Sequence, residues 1–247
     1  MKEPPGGPGG FFVRTTAVTA FATCEELVRR HDPDRYFSAL FAPADKRHFL
    51  FALYALYYEM AHVADAVREP MVGDIRLAWW RETVEGARAG KARNHDVARA
   101  LVETLAANDL PQHLFEAIIA ARSFDVSREP FADMETLEEY CDATSGNMMR
   151  LAARVLGAGD TLDAPARDAG IAFALAGRHG DRFRIVQPRI ARTAQTHLAA
   201  ARKLAIPKEA LPAFLPAALV PLYLRRSDPA LWRKQIALFA AAIRGHV

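Results

Sequence analysis

The chain has 247 residues, of which 51% are hydrophobic, 9% aromatic and 25% charged. This composition is typical of a globular protein and excludes collagen-like, disordered and disulfide-scaffold classes. The formal net charge of +3 is too small by itself to indicate a nucleic-acid-binding protein. Two cysteines, Cys24 and Cys141, cannot form a disulfide framework or a four-ligand zinc site by themselves, so we expect reduced, buried thiols.

No apolar run reaches the roughly 18 residues that a membrane-spanning helix needs. The start of the chain lacks the pattern of a signal peptide, because its Pro/Gly tract takes the place of a continuous apolar core. Residues 1–10 are therefore predicted to form a flexible tail. Without an export signal, we expect a cytoplasmic protein.

Pro and Gly separate long segments of helical period, and strand signals are nearly absent. Capping patterns predict helix starts at Thr23, Asp32, Thr136 and Asp163. The predicted helices are 23–30, 35–41, 45–67, 74–89, 96–107, 111–124, 136–157, 163–177, 191–204, 208–225 and 227–245. We predict one all-α domain of about ten helices over residues 11–247, in which a ligand cavity would lie between helices.

The helix predicted over residues 45–67 has two unlike faces. An apolar stripe is expected to pack against the core and consists of Phe49, Leu53, Leu56, Met60, Val63 and Val67. The nearly opposite side carries Tyr54, Tyr58, Ala61, His62 and Asp65, with Glu59 beside them. This second face is either partly exposed, with aromatic side chains reaching toward solvent, or it lines a cavity.

Five segments carry a family resemblance: RYFSALFAP at 35–43, FALYALYYEMAHVAD at 51–65, IRLAWWRE at 75–82, a stretch over 137–146, and ALPAFLPAALVPLYLR at 210–225. Their order and spacing resemble the squalene/phytoene synthase family. The resemblance covers residues 30–177 and roughly 194–225. It implies an isoprenoid-synthase-type helical bundle around a central cavity, shortened in its second half between Gly177 and Ala194.

Active members of that family condense two prenyl diphosphates head to head. They carry two aspartate-rich motifs, because Mg²⁺ prefers hard oxygen ligands and neutralises the diphosphate. At the first motif this chain reads AHVAD over residues 61–65, so Asp65 is the one remaining acid. Tyr58 and Glu59 stand where the family places an arginine.

At the second motif the matching positions are Ala174, Gly177 and Asp181. Again one acid remains. One carboxylate on each side makes a poor magnesium cage, because Mg²⁺ dehydrates reluctantly. We therefore expect no cofactor and no catalytic residue beyond the vestigial Asp65 and Asp181, with Asp65 as a weak metal-ligand candidate.

The candidates for substrate binding come from the second helix face and from the family resemblance. They are Tyr36, Tyr58, His62, Asp65, Arg76, Arg81 and Tyr140. Arg76 and Arg81 either cap and pair with acids or face an anionic head group. His62 with Asp65 has the i, i+3 spacing of a hydrogen-bonded pair, and two ligands are too few for a metal site.

Two segments leave alternatives open. The basic residues over 178–192 form a solvated loop, a surface attracted to anionic lipid, or a poorly ordered remnant of the shortening. The segment 211–224, with three prolines, forms a kinked buried helix or, if the shortening uncovers it, an exposed apolar patch.

The loss of both aspartate motifs resembles a non-catalytic branch of the family, an assembly factor for respiratory complex I. We predict a non-catalytic protein that binds a lipid or prenyl ligand in its cavity, or a protein partner, with peripheral membrane contact and no nucleic acid. The alternative is an active, Mg²⁺-dependent prenyl-diphosphate synthase. A third interpretation is an incomplete product that folds poorly.

Overall fold

The computed structural model describes residues 9–177 and 181–247, with side chains from residue 19 onward. The helices are α1 Gly9–His31, α2 Pro33–Ala39, α3 Ala44–His62, α4 Pro70–Arg88, α5 Asp96–Ala107, α6 Gln112–Ser127, α7 Met134–Cys141, α8 Asn147–Val155, α9 Asp163–Ala176, α10 Gln187–Ala201, α11 Leu211–Phe214, α12 Val220–Arg225 and α13 Leu231–Arg244. The described part contains no strand, which confirms the all-α prediction. None of its helices combines the length and the apolar character required to span a bilayer.

The first helix begins earlier than predicted. It starts at Gly9, so the last two residues of the predicted tail lie in a helix, and residues 1–8 lie outside the described residues. Thr23 lies inside this helix, and its hydroxyl donates to the Thr19 carbonyl at 3.0 Å instead of capping a new start. No proline or glycine stands between residues 11 and 22, so nothing in the sequence interrupts the helix there.

Local capping sets several helix starts. The Asp32 side chain accepts from the Arg35 backbone N–H at 3.1 Å, and Pro33 takes the first helical position, as predicted. For α7 the predicted cap at Thr136 is wrong, because Asp133 is the cap and accepts from the Thr136 N–H at 2.8 Å. The predicted helix 136–157 is also divided by a π-helical turn, Asp142–Gly146.

Helix α3 lies at the centre of the bundle and contacts α1, α2, α5, α6 and α8. Its predicted apolar stripe is buried at Leu53, Leu56 and Met60. Tyr54 and Tyr57 are buried as well, so most of this helix is enclosed on both faces. The helix ends at His62, earlier than the predicted residue 67. The partly exposed character predicted for the second face holds at His62 and at Asp65 in the following turn, which are both exposed.

The proline-rich segment near the C-terminus is buried. It forms α11, a 3₁₀ turn over Leu215–Leu219, and α12, with Phe214 and Leu219 fully enclosed. This confirms the kinked buried helix, and the exposed-patch alternative for this segment is wrong.

Within the basic stretch, residues 181–192 form a 3₁₀ turn and the start of α10, while Arg178 and His179 lie outside the described residues. Arg184, Arg189 and Arg192 are exposed, as expected for a solvated segment.

Both cysteines are buried thiols, as expected. Burial raises the pKa of the Cys24 thiol to about 12, so this side chain stays protonated at neutral pH.

Helix α9 packs very closely against the π-helical turn. A Cβ atom on Gly170 would lie 2.5 Å from the Gly146 Cα atom and 2.6 Å from its backbone nitrogen. Because both neighbours are backbone atoms, a side chain at residue 170 would have to push the π-helical turn away from α9.

Replacing Gly170 with alanine is therefore expected to lower the free energy of unfolding by about 1–3 kcal/mol, measured by urea denaturation. In an uncrowded helix the same change would raise the free energy of unfolding. A decrease therefore indicates that the backbone of the π-helical turn crowds residue 170. Gly159→Ala is the matched control: a Cβ there meets nothing within 4 Å, and its expected effect is within about 0.5 kcal/mol. Equal effects at the two glycines would contradict the close packing.

Candidate binding cavity

A cavity of about 400 Å³ lies between α2, α3, α6, α9, α12 and the π-helical turn. Its lining is Asp34, Arg35, Tyr57, Ala61, Arg122, Ser145, Phe173, Ala174, Gly177, Tyr223 and Ser227. The size is within the range of small-molecule sites. The lining combines two arginines, one carboxylate and several aromatic rings, which is an unusual concentration of charge inside a helical bundle.

Arg35 enters the cavity from α2 and is buried. Its guanidinium pairs with the Asp32 carboxylate at 2.7 Å and donates to Ser145 Oγ on the π-helical turn at 3.3 Å. The guanidinium carbon also lies 4.7 Å from the centre of the Tyr57 ring. Burial opposes the charge, but Asp32 and the neighbouring tyrosines outweigh it and raise the pKa of Arg35. Arg35 is therefore a fixed positive charge.

Arg122 enters from α6, and its guanidinium carbon lies 4.6 Å from the same Tyr57 ring centre. It pairs with Asp125 at 2.9 Å and donates to Tyr140 Oη at 2.8 Å. Tyr140 in turn donates to Asp125 at 2.6 Å, and Arg182 pairs with the other oxygen of Asp125 at 3.1 Å. Burial disfavours the Asp125 carboxylate, but Arg122 and the hydrogen bonds outweigh burial and lower its pKa.

A second polar cluster closes the cavity on the side of the C-terminal helices. Lys234 Nζ donates to Tyr223 Oη at 2.6 Å, and Tyr223 Oη donates to Asp34. Lys234 also lies 3.2 Å from the other oxygen of Asp34. Burial raises the pKa of Asp34 despite these partners, and burial with the Asp34 charge raises the pKa of Tyr223.

The first aspartate-motif segment lies at the mouth of the cavity. Ala61 lines the cavity itself, whereas Asp65 lines a neighbouring hollow of about 590 Å³ that also contains Arg128 and Arg182. The Asp65 side chain is 77% exposed and lies 3.5 Å from His62. The two side chains therefore lie near each other at the surface, but the structure shows no hydrogen bond between them.

The residues of the second motif do not lie on one helix, because α9 ends at Ala176. Ala174 and Gly177 line the cavity, whereas Asp181 begins a 3₁₀ turn and lines a separate hollow with Arg128 and Arg182. Both vestigial acids therefore lie beside the same two arginines.

The donor set does not fit Mg²⁺. Over residues 9–177 and 181–247, no three His, Cys, Asp or Glu side chains come together where they could hold a metal ion. Asp34 in the cavity is already paired with Lys234, and Asp125, which lines the neighbouring hollow, is paired with two arginines. Magnesium needs several oxygen ligands in near-octahedral geometry, and this arrangement supplies salt-bridged carboxylates instead.

The predicted substrate-binding residues are scattered. Tyr36 stacks on Phe51 with ring centres 5.4 Å apart, and Tyr58 stacks on His31 at 4.4 Å. Neither tyrosine is among the residues that line the cavity.

Of the remaining candidates, Arg76 and His62 line a small hollow beside Trp79 and Trp80, and Arg81 is exposed on α4. Tyr140 is buried in the Arg122–Asp125 network. A role of these residues in substrate binding stays a prediction.

Sequence reasoning missed Arg122, Asp125, Arg182, Tyr57 and the Asp34 cluster as site residues. One available signal was Arg122 with Asp125 at i, i+3, directly after the apolar run 117–121 of α6, since a charged residue there must be paired when buried. No local signal indicated the partners, which come from distant parts of the chain.

Comparison with solved structures identifies the fold. A dehydrosqualene synthase in complex with a ligand superposes with a TM-score of 0.74 over 94% of this chain and 98% of that one, at 16% identity. YisP from Bacillus subtilis gives a TM-score of 0.61 over 92% of this chain and 91% of that one, at 15% identity. The architecture is that of an all-α isoprenoid synthase.

Residues 28–181 match the family model described as squalene/phytoene synthase. Since this range covers more than half of the chain, the protein belongs to the squalene/phytoene synthase family.

Two kinds of curated relative match this chain. Human "NADH dehydrogenase (ubiquinone) complex I, assembly factor 6" is 29% identical over 137 residues, which is 56% of this chain and 41% of the relative. The 15-cis-phytoene synthase of Synechocystis sp. is 26% identical over 138 residues, 56% of this chain and 41% of the relative. The matched region spans about two fifths of the length of these relatives.

Replacing Asp125 with asparagine is expected to lower the free energy of unfolding by about 3 kcal/mol at pH 7, because it leaves the buried Arg122 charge without its counterion. The pKa of Asp125 is lowered in the folded protein from its ordinary value of 3.8. Its stabilising effect is therefore complete above that value and is lost as the pH falls through the folded pKa. In urea unfolding, the difference in free energy of unfolding between wild type and Asp125→Asn should stay constant from pH 7 to 5. It should become smaller below pH 4.

Asp160→Asn is the matched control, because Asp160 also pairs with an arginine, Arg154, at 2.6 Å, but its side chain is 89% exposed. Its expected cost is less than about 1 kcal/mol. Similar costs for Asp125→Asn and Asp160→Asn would show that the buried network does not stabilise the fold as described.

Proposed function

We propose that this protein is a non-catalytic member of its family that acts by binding. The observation that carries the proposal is that the buried carboxylates in and beside the cavity are already paired with basic side chains. Asp34 and Asp125 are paired internally, and the first-motif segment presents Ala61 to the cavity while Asp65 points to solvent. A cavity arranged this way can hold a ligand but has no carboxylate set to bind the metal that prenyl condensation requires.

The relatives support a helper role. Assembly factors of NADH dehydrogenase complex I from human, cow, mouse and rat each match 137 residues of this chain. We therefore propose that the chain takes part in assembly of a respiratory complex through a protein partner, in contact with a membrane surface. A lipid or prenyl ligand in the cavity would fit beside Phe173 and Tyr57, with an anionic group near Arg35 and Arg122.

The alternative is a Mg²⁺-dependent synthase, and the observation that favours it is the match to cyanobacterial phytoene synthases. Such an enzyme would depend on the two vestigial acids, Asp65 and Asp181. Those acids line separate hollows, and each hollow also contains Arg128 and Arg182. Because two acids in separate hollows beside arginines do not form a shared metal site, this placement supports the binding proposal over the synthase.

A genetic complementation experiment tests the proposal. Deleting the gene in its source cell is expected to lower membrane NADH:ubiquinone oxidoreductase activity, and the wild-type gene is expected to restore it. The double variant Asp65→Ala, Asp181→Ala should restore it equally, because a binding protein does not need these exposed acids.

Two results would count against the proposal. An unchanged oxidoreductase activity in the deletion strain would contradict the assembly role. Rescue by the wild type but not by the double alanine variant, at equal protein levels, would favour the synthase alternative.

A further inference from the structure

The last helix, α13, presents a straight apolar stripe to solvent. Trp232, Ile236, Phe239 and Ile243 are between 57% and 71% exposed. With about 100° of rotation per residue, these four positions lie within an arc of about 60° on the helix. Isolated exposed hydrophobic residues are ordinary, but four aligned on one helix form a continuous apolar surface.

The opposite side of α13 packs against the rest of the helical bundle. Leu238 and Ala241 are buried, and Lys234 is held by Tyr223 at 2.6 Å and by Asp34 at 3.2 Å. Because these contacts fix the rotation of the helix, the stripe cannot turn inward without breaking a buried ion pair.

The stripe continues onto the end of α2. The Phe41 ring centre lies 6.4 Å from that of Phe239, and Leu40 beside it is also exposed. Between the two helices runs an open groove of about 760 Å³. We name this surface the α2–α13 face and define it by Leu40, Phe41, Trp232, Ile236, Phe239 and Ile243.

Arginine side chains flank the α2–α13 face. Arg244 lines the groove, and the Arg233 guanidinium carbon lies 5.1 Å from the centre of the Trp232 ring. On the other edge, Arg47 donates to the carbonyls of Leu40 and Ala42 at 2.9 and 3.1 Å. Within the part of the chain that the structure describes, no acidic side chain lines the groove, and residues 229–247 contain no Asp or Glu.

The positive charges distinguish between two possible partners of the α2–α13 face, a second copy of the chain and an anionic bilayer. A second copy of the chain would place the same surface opposite itself, so the arginine edges of the two copies would repel. A bilayer with anionic lipids offers the complementary pattern, an apolar interior below a negatively charged surface. Trp232 and the adjacent Arg233 suit its boundary, where a ring can enter the acyl region while a guanidinium stays among the phosphates.

We propose that the α2–α13 face docks this protein onto the surface of a bilayer that contains anionic phospholipid. Docking is peripheral: the stripe enters the boundary between head groups and acyl chains, while the arginines at its edges contact phosphates. The inference deepens the membrane contact included in the proposed function but does not need the assembly role, since a synthase could dock in the same way.

The test is vesicle flotation of the full chain with phosphatidylcholine vesicles, with and without about 30% phosphatidylglycerol, at low and high salt. Wild type is expected to bind the anionic vesicles, and to bind less at high salt. Ile236→Glu with Ile243→Glu should weaken binding about tenfold or more, because the change removes inserted apolar area and adds two charges that anionic lipid repels.

Met71→Glu with Ile75→Glu is the control. It makes the same charge change at two exposed apolar positions of α4, outside the α2–α13 face, and should leave binding unchanged. A thermal melt verifies that both variants remain folded. All four positions are exposed, so little loss of stability is expected.

Three results would overturn the inference. The first is absence of binding to either vesicle. The second is equal weakening by the two double variants. The third is a wild-type dimer in sedimentation velocity that becomes monomeric in Ile236→Glu, Ile243→Glu without any vesicle binding, which would assign the face to a second copy. If Ile236→Glu with Ile243→Glu no longer binds vesicles but still restores oxidoreductase activity in the deletion strain, the face binds membranes and the assembly role does not depend on it.

Discussion

The constraint on which this structure depends is the burial of two arginine charges inside one helical bundle. The guanidinium groups of Arg35 and Arg122 both lie within 4.7 Å of the Tyr57 ring centre, and each is at most 8% exposed. An unpaired buried charge costs several kcal/mol, so each requires a counterion nearby. Asp32 and Asp125 serve that purpose from the adjoining turns of the same helical segments. The arginine–tyrosine cluster thereby ties α2, α3 and α6 together around the cavity.

This arrangement has a consequence for chemistry. Carboxylates that neutralise buried arginines are not available as metal ligands, and the helix that carries the first aspartate motif in active relatives here presents Ala61 to the cavity. The cavity thus contains two guanidinium groups, Arg35 and Arg122, that are held in place by Asp32 and Asp125. Such preorganisation favours binding an anionic or polar group, because little rearrangement is needed when the ligand enters.

Much of the fold could be predicted from local signals. Helix α5 has the bounds that its period predicts, α9 begins at the predicted Asp163, and the proline-rich segment is kinked and buried. These features depend on caps, prolines and periodicity within one stretch of chain. The start of α1 was missed because a capping pattern at Thr23 also fits the middle of an uninterrupted helix.

The site was predicted less well. Of the second face predicted for α3, Ala61 does line the cavity, but Tyr58 and His62 do not. Tyr57, one residue before the predicted Tyr58, lines it instead. One residue corresponds to about 100° of rotation, which periodicity alone cannot fix when a helix is enclosed on both faces. The polar contacts join residues far apart in sequence, such as Arg35 with Ser145, 110 positions away.

The measurement that tests the central claim most directly is calorimetric titration with a non-hydrolysable farnesyl diphosphate analogue, with and without Mg²⁺. The claim is that the buried carboxylates in and beside the cavity are held by basic side chains, so that the cavity offers no set of open carboxylates for a metal ion. The predicted result is that Mg²⁺ does not strengthen binding, in the wild type or in Asp65→Ala. Binding that requires Mg²⁺ and is lost in Asp65→Ala would contradict the claim.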